Sequence, residues 1–264
     1  MLWTMNYYRG TDLYGALSER AGDRFVWASG DAWCLVYGDA GAVPKLAVFV
    51  EAVEAERLSA SISAERSRVR DAFFRLAYGA GIPSLHLRFA ADRTLGRVAV
   101  IGENGEAAEL SLEELSLRFL EAGVPIREGP AIKAINLQSS SAYHDWQRAA
   151  LGGEITVSDL DLLRLGQAEA VTELIEVKRS YIELNRWRPY PQDFNNFRLL
   201  ARLAEANGVP FTISYHRFSG APRVDDLSEL SFWQVESHRE PPVVQLGLFE
   251  LDRFIDGEHL PPQP

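Results

Sequence analysis

The stretch "SDLDLLRLGQAEAVTELIEVKR", residues 158–179, places Asp159, Asp161, Glu176 and Lys178 at spacings that chemistry can use. Two strand-like runs, "SDLDLLRL" and "TELIEVK", are joined by a short Gly-containing connection, which predicts a β-hairpin. With the turn centred on Ala168-Glu169, Asp161 faces Glu176 and Asp159 faces Lys178. Period-two alternation then projects all four side chains to one face and Leu160, Leu162, Ile175 and Val177 to the other. Burying such charges unpaired costs on the order of several kcal/mol each. An ion pair of Glu176 with Lys178 or Asp159 with Lys178 would neutralise them. Alternatively, clustered hard oxygens hold a divalent cation such as Mg²⁺, with water and a phosphate completing the octahedron.

The lysine sharpens this choice. Of 27 basic residues only Lys45, Lys133 and Lys178 are lysines, so arginine is the chain's ordinary cation. A lysine beside two acids points to a need for a compact, mobile ammonium, which a guanidinium does not replace.

Asp161 with its apolar continuation, then Glu176-Val177-Lys178 fifteen positions later closing a strand, then a helix and a further strand, resembles the PD-(D/E)xK nuclease superfamily. The resemblance covers residues 140 to 240. It implies a restriction-endonuclease-like core, a central mixed sheet flanked by helices, preceded here by an N-terminal α+β region. It also implies Asp161 and Glu176 as metal ligands with the Val177 carbonyl as a third, and Mg²⁺ or Mn²⁺ as the cofactor. Lys178 would orient or help deprotonate the attacking water and stabilise charge on the phosphorane-like transition state. No proline precedes the aspartate. Asp159 competes with Asp161 for the first role, and Asp161 is favoured by its place opposite Glu176. The acid of the family's first core helix is open among Asp145, Glu113 and Glu114, and its first strand is sought at "AIKAINL".

Downstream, Tyr190 and Gln192 stand where some relatives place polar support for the lysine or the water, although a capped helix start in a loop is the favoured explanation of both. Arg179, Arg186, Arg188, Arg198 and Arg202 are candidates for a phosphate-contacting rim, with Arg198 and Arg202 on one helix face. Trp187, Phe194 and Phe197 are candidates for base stacking, with core packing the expected fate of the two phenylalanines. Five histidines show no metal-ligand spacing, and His216, after "FTISY", is the one placed to reach the site. No Gly-rich phosphate loop or G-x-S-x-G elbow is present.

A net charge of −10 does not advertise a nucleic-acid binder. Its distribution does more: residues 178–223 carry eight Lys/Arg against three acids, and residues 224–264 carry nine acids against two arginines. The single cysteine, Cys34, excludes an internal disulfide and a multi-thiolate metal site and reads as a buried small hydrophobe. "LAVFVEAV" is too short to span a bilayer, and "MLWTMNYYRGTDLYG" lacks the pattern of a secretory signal, so a cytoplasmic protein is expected.

The elements that must position these residues follow from periodicity. Residues 24–51 predict two or three antiparallel strands. A helix is expected over 61–78, a strand pair at "SLHLRFA" and "RVAVIG", and a helix at 112–121 behind a Ser111-x-x-Glu114 capping box. "AYHDWQRAAL" is a short helix and "FRLLARLAEA" a longer one, followed by strands at "VPFTISYHR" and "LSFWQVES". No internal repeat stands out. Domain borders are placed near 135 and 240, giving an N-terminal α+β domain for substrate recognition or dimerisation, a core, and an acidic tail with a frayed end. The leading expectation is a metal-dependent nuclease acting on DNA, possible as a homodimer and without a membrane partner. The alternatives are a nuclease-like fold that does not cut and serves as a nucleic-acid or protein interaction module, and an unrelated α/β protein with a structural Glu176–Lys178 ion pair.

Overall fold

The computed structural model describes residues 11–28, 30–91, 95–102, 104–126, 141–220 and 224–260. In chain order they form α1 (Asp12–Ala21), β1 (Phe25–Val26), β2 (Ala32–Asp39), β3 (Pro44–Val53), α2 (Ala64–Gly79), β4 (Ser84–Ala90), β5 (Arg97–Ile101), β6 (Ala107–Ser111) and α3 (Leu112–Glu121). There follow α4 (Ala142–Ala150), β7 (Ile155–Asp159), β8 (Leu162–Leu165), β9 (Val171–Ser180), α5 (Phe194–Ala206), β10 (Phe211–Ser219), β11 (Val224–Val235), β12 (Val243–Phe249) and α6 (Leu251–Ile255). Polar residues start the helices by accepting orphan amides. Thr11 receives Leu13 N–H at 3.0 Å, Ser63 receives Arg66 N–H at 3.2 Å, and Ser111 and Glu114 close the expected capping box.

The elements divide into two units, one within Ala28–Asp159 and one from Gly10–Trp27 with Leu160–Pro264. Each is a six-stranded mixed sheet with helices, an α+β arrangement. The first runs β6-β5-β4-β3-β2-β7 and the second β1-β8-β9-β10-β11-β12. In each, an antiparallel hairpin is followed by a crossover helix and a parallel strand, as a parallel connection requires. In unit 1, Trp33, Leu35 and Tyr37 of β2 and Val48 and Val50 of β3 pack with Leu115, Phe119, Tyr143 and Trp146 of the helices. In unit 2, Leu162, Ile175 and Phe232 pack with Leu13 and Leu17 of α1 and Phe254 of α6.

The division departs from the borders near 135 and 240. "ITVSDLDLLRL" is two strands, β7 and β8, in two different sheets: Leu35 pairs with Asp159, while Leu162 pairs with Ile175. A continuous apolar alternation carries no mark of the break at Leu160–Asp161. The acidic tail is structural as far as it is described. β12 pairs with β11, and Leu251, Phe254 and Ile255 are buried because they are the apolar residues of an otherwise charged turn of helix. The frayed end and "AIKAINL" lie outside the described residues.

The two sheets also share one plan, which sequence inspection missed. Ala47↔Ser84 of β3 and β4 corresponds to Leu174↔Phe211 of β9 and β10, each residue 127 positions later. Leu35↔Val48 corresponds to Leu162↔Ile175, and both hairpins bulge at the same place, between Tyr37 and Gly38 and between Arg164 and Leu165. Left-handed residues recur at Ala42 (φ 58°) and Glu169 (φ 61°), and at Gly81 (φ 67°) and Gly208 (φ 66°). The signal in the sequence was "RLAYGAGIP" at 75–83 against "RLAEANGVP" at 202–210.

From α1 to α3 and from α4 to α6 the element strings are identical, yet the leading helix and strand of each are exchanged. β1 joins the second sheet through Phe25↔Arg164, and β7 joins the first through Leu35↔Asp159. A chain expressed as two pieces, residues 1–133 and 134–264, is therefore expected to co-purify from one cell, since each piece supplies an edge strand of the other's sheet. Independent elution of two folded pieces would contradict the exchange.

Glu51 on β3 is 1% exposed and lies among cations: it accepts from Arg88 Nε at 2.8 Å and Arg66 Nη1 at 3.1 Å, with His86 Nε2 at 2.6 Å. Burial raises its carboxyl pKa, but the hydrogen bonds of His86 and Arg88 outweigh this and bring it to about 2. A folded pKa below the unfolded 4.5 gives stability that is complete above that value and lost as pH falls toward about 2. Glu51→Gln should cost about 3–5 kcal/mol at pH 7 by leaving buried cations uncompensated. Urea unfolding at pH 7 and pH 3 should show the gap to wild type narrowing at the lower pH.

Candidate active site

The β8–β9 hairpin turns through Ala168 (φ 51°) and Glu169 (φ 61°), the expected pair, and its register runs Leu162↔Ile175, Leu163↔Leu174, Arg164↔Glu173. Continuing it by one residue sets Asp161 across from Glu176. Leu162 and Ile175 belong to the core cluster formed with α1 and α6, so period-two alternation turns Asp161, Glu176 and Lys178 to the other face. That face carries α5: the Lys178 ammonium lies 5.9 Å from the centroid of the Phe197 ring.

Three of the expected residues come together there. Lys178 Nζ is 2.5 Å from Glu176 Oε1, and Asp161 Oδ2 accepts the Val177 N–H at 2.9 Å. The Glu176 side chain is 9% exposed and that of Lys178 is 35% exposed, so the lysine is the more accessible of the two. Burial lowers the Lys178 pKa, but Glu176 foremost, then Asp161, then Asp193, outweigh it and hold the lysine well above its ordinary value. Lys178 is a fixed positive charge at neutral pH.

Asp193 was missed. It occupies the N-cap position of α5, yet its side chain makes no capping hydrogen bond. An aspartate before a helix ordinarily caps it, and that expectation hid a carboxylate near enough to the lysine to help raise its pKa. Gln192 lies exposed in the 3₁₀ turn Pro191–Asp193, and Tyr190 is exposed just before it.

Several expected residues are elsewhere. Asp159 ends β7 in the sheet of unit 1, so hairpin alternation does not reach it. Asp145 is on α4 of unit 1, paired with Arg148 at 3.1 Å, and Glu113 and Glu114 begin α3, where Glu114 serves the capping box. Arg179, one residue beyond Lys178, is turned to the opposite face. It holds Asp225 through two contacts, 3.1 and 2.8 Å, with side chains 12% and 2% exposed, so it is a buried ion-pair partner and not a rim cation. His216 pairs across the parallel ladder with Arg179, is fully buried on that same face, and stands 3.4 Å from Asp225. Burial lowers its pKa against the opposing pull of Asp225.

Among the rim candidates, Arg186 is exposed in the turn after β9. Arg188 donates to the carbonyls of Asn185 (3.0 Å) and Trp187 (2.7 Å) and lies 5.3 Å over the Trp233 ring. Arg198 is ion-paired with Glu240, and Arg202 follows one turn along α5. Trp187 is buried and stacked on Tyr215, ring centroids 4.2 Å apart at 3°, which removes it from base stacking. Phe197 is buried in the core and Phe194 is half-buried.

Among the described residues, no group of three or more His, Cys, Asp or Glu side chains is arranged to hold a metal ion. Two carboxylates and a backbone carbonyl form a smaller set than that, and their hard oxygens suit a divalent cation that keeps water and phosphate in its remaining positions. Among the described residues no helix is long and apolar enough to cross a membrane.

Arg179→Gln is expected to lower unfolding stability by about 3–5 kcal/mol, because Asp225 loses its buried partner. Urea unfolding at neutral pH should show the loss.

Comparison of the chain with protein-family models, with curated proteins and with solved structures finds no match.

Proposed function

We propose that unit 2 is a metal-dependent nuclease of the PD-(D/E)xK type, with Asp161, Glu176 and Lys178 at its centre and DNA as the expected substrate. The observation that carries the reading is the hairpin register, which sets Asp161 across from Glu176 with the Lys178 ammonium 2.5 Å from the latter. The order of elements supports it: a helix, three antiparallel strands β1-β8-β9, a crossover helix, and β10 parallel to β9. On this reading the first helix and strand would be α1 and β1, within residues 12–26, with β1 paired to β8.

Asp161 and Glu176, with the Val177 carbonyl, would hold Mg²⁺ or Mn²⁺. When bound, such a cation supplies Lewis acidity to phosphate oxygens and a more acidic water. In the hydrolysis, the water oxygen bonds to phosphorus as the bond to the leaving sugar oxygen breaks. The water's proton departs, the leaving oxygen gains one, and the products are a phosphomonoester and a hydroxyl. Lys178, with its ammonium 2.5 Å from Glu176 Oε1, is suited to orient the attacking water and to stabilise the charge growing on the phosphoryl oxygens. Its one-third exposure lets it meet a phosphate without leaving Glu176. The exposed Arg186 and Arg188, in the segment between β9 and α5, are the remaining candidates for phosphate contacts.

The alternative, a nuclease-like fold that does not cut, is favoured by the Lys178–Glu176 contact itself, which neutralises the site without a cation.

Plasmid, single-stranded DNA and RNA incubated with Mg²⁺, Mn²⁺ or EDTA separate the two readings. Cleavage is expected with either cation on DNA and none with EDTA. Asp161→Ala, Glu176→Ala and Lys178→Ala should each lower the rate by about 10²-fold or more. A folded wild type inert on all three substrates would end the nuclease reading, and a Glu176→Ala variant that cuts normally would take the centre away from Asp161, Glu176 and Lys178.

A further inference from the structure

The 127-residue correspondence between the sheets assigns each residue of the centre a counterpart in unit 1. Asp161 corresponds to Cys34, Glu176 to Phe49, Lys178 to Glu51 and Asp193 to Arg66. Cys34 and Phe49 are cross-strand partners, as Asp161 and Glu176 are placed to be, and both are buried. Neither offers an oxygen to a hard cation.

The charge pattern is inverted as well. In unit 2 a lysine is surrounded by carboxylates. In unit 1 the corresponding Glu51 is held by Arg66, Arg88 and His86. A pocket of about 370 Å³ opens there, lined among others by Asp31, Glu51, Arg57, Arg66 and Arg88. Two of its three acids are already engaged: Arg66 bridges Asp31 and Glu51, and Arg88 donates to Glu51 at 2.8 Å, which leaves the exposed Glu54 as the remaining carboxylate of the lining. A divalent cation entering this pocket would face guanidinium groups that already hold Asp31 and Glu51, and one carboxylate is a poor site for it.

We infer that the chain carries two copies of one site plan, of which only the copy in unit 2 holds a cation and cuts, and that unit 1 is its non-cutting counterpart. The inference rests on the nuclease reading of unit 2. It specifies the product: a chain acting alone has one centre and opens one strand of a duplex per encounter.

Two measurements on the full chain test it. Mn²⁺ titration followed by electron paramagnetic resonance should give one ion per chain, lost in Glu176→Ala and retained in Glu51→Gln. Where Glu51→Gln does not fold, Asp31→Asn, at the partly exposed edge of the same pocket, should likewise retain the ion and the wild-type cleavage rate. With enzyme limiting, supercoiled plasmid should pass through open circle before any linear form. Two ions per chain, cleavage surviving in Glu176→Ala, or linear product without an open-circle stage from a chain that gel filtration at the assay concentration shows to be monomeric would overturn the single centre while leaving a nuclease. A folded wild type that binds no Mn²⁺ and cuts nothing would remove the reading of unit 2 and this inference together.

Discussion

The two-residue alternation of β9, locked in register by its hairpin with β8, is the constraint on which the rest of unit 2 depends. One strand of ten residues carries charged groups to both faces and cannot mix them. Glu176 and Lys178 take the α5 face. Glu173 and Arg179 take the face of α1 and α6, where each is bound into a buried network. Glu173 holds Arg164 at 2.8 Å, Thr212 at 2.6 Å and His259 at 2.7 Å, and Arg164 in turn donates to the carbonyls of Phe254 and Ile255. That network ties the C-terminal helix to the hairpin. A slip of one residue would put Glu173 against α5 and Glu176 among Leu13, Leu17 and Phe254, leaving both carboxylates in apolar surroundings. The buried ion pairs on one face thus help to specify the register that assembles the candidate centre on the other.

Much of this was legible because it depends on local signals. The hairpin turn at Ala168-Glu169, its register, and the separation of Asp161, Glu176 and Lys178 from Leu162 and Ile175 all follow from period-two alternation and turn chemistry. The capping box at Ser111 and Glu114 and the helices α2, α4 and α5 follow from equally short-range patterns. What was not legible depends on which partner a strand chooses. Residues 155–165 read as one strand because their apolar residues keep recurring, although Leu160–Asp161 is where the chain passes from one sheet to the other. The role of arginines was misjudged for a related reason. An arginine next to a candidate lysine reads as one more surface cation, but strand alternation had already assigned Arg179 to the far face with Asp225.

The shared plan of the two sheets was hidden because its preserved features are backbone features. Across the hairpins the side chains differ almost throughout, whereas the bulge after Tyr37 and Arg164 and the left-handed residues at 42 and 169 recur. Only at the end of the crossover helix, where Gly81 and Gly208 must adopt positive φ and a proline then leads into the parallel strand, does conformation restrict residue type enough to preserve letters. The exchange of the leading helix and strand obscured it further, since unit 2 draws on two separate stretches of the sequence.

The corresponding positions also separate what the fold demands from what chemistry demands. Lys178 beside Glu176 and Asp193, and Glu51 beside Arg66 and Arg88, meet one requirement with opposite signs: a charge on the inner parallel strand, near the start of the crossover helix, must be neutralised where water is scarce. Either polarity satisfies the sheet. Both units keep a partly exposed cation between carboxylates, Lys178 beside Glu176 and Arg66 between Asp31 and Glu51, but only in unit 2 does the parallel strand itself carry it. Folding stability therefore constrains the presence of a pair at this position and leaves its polarity free.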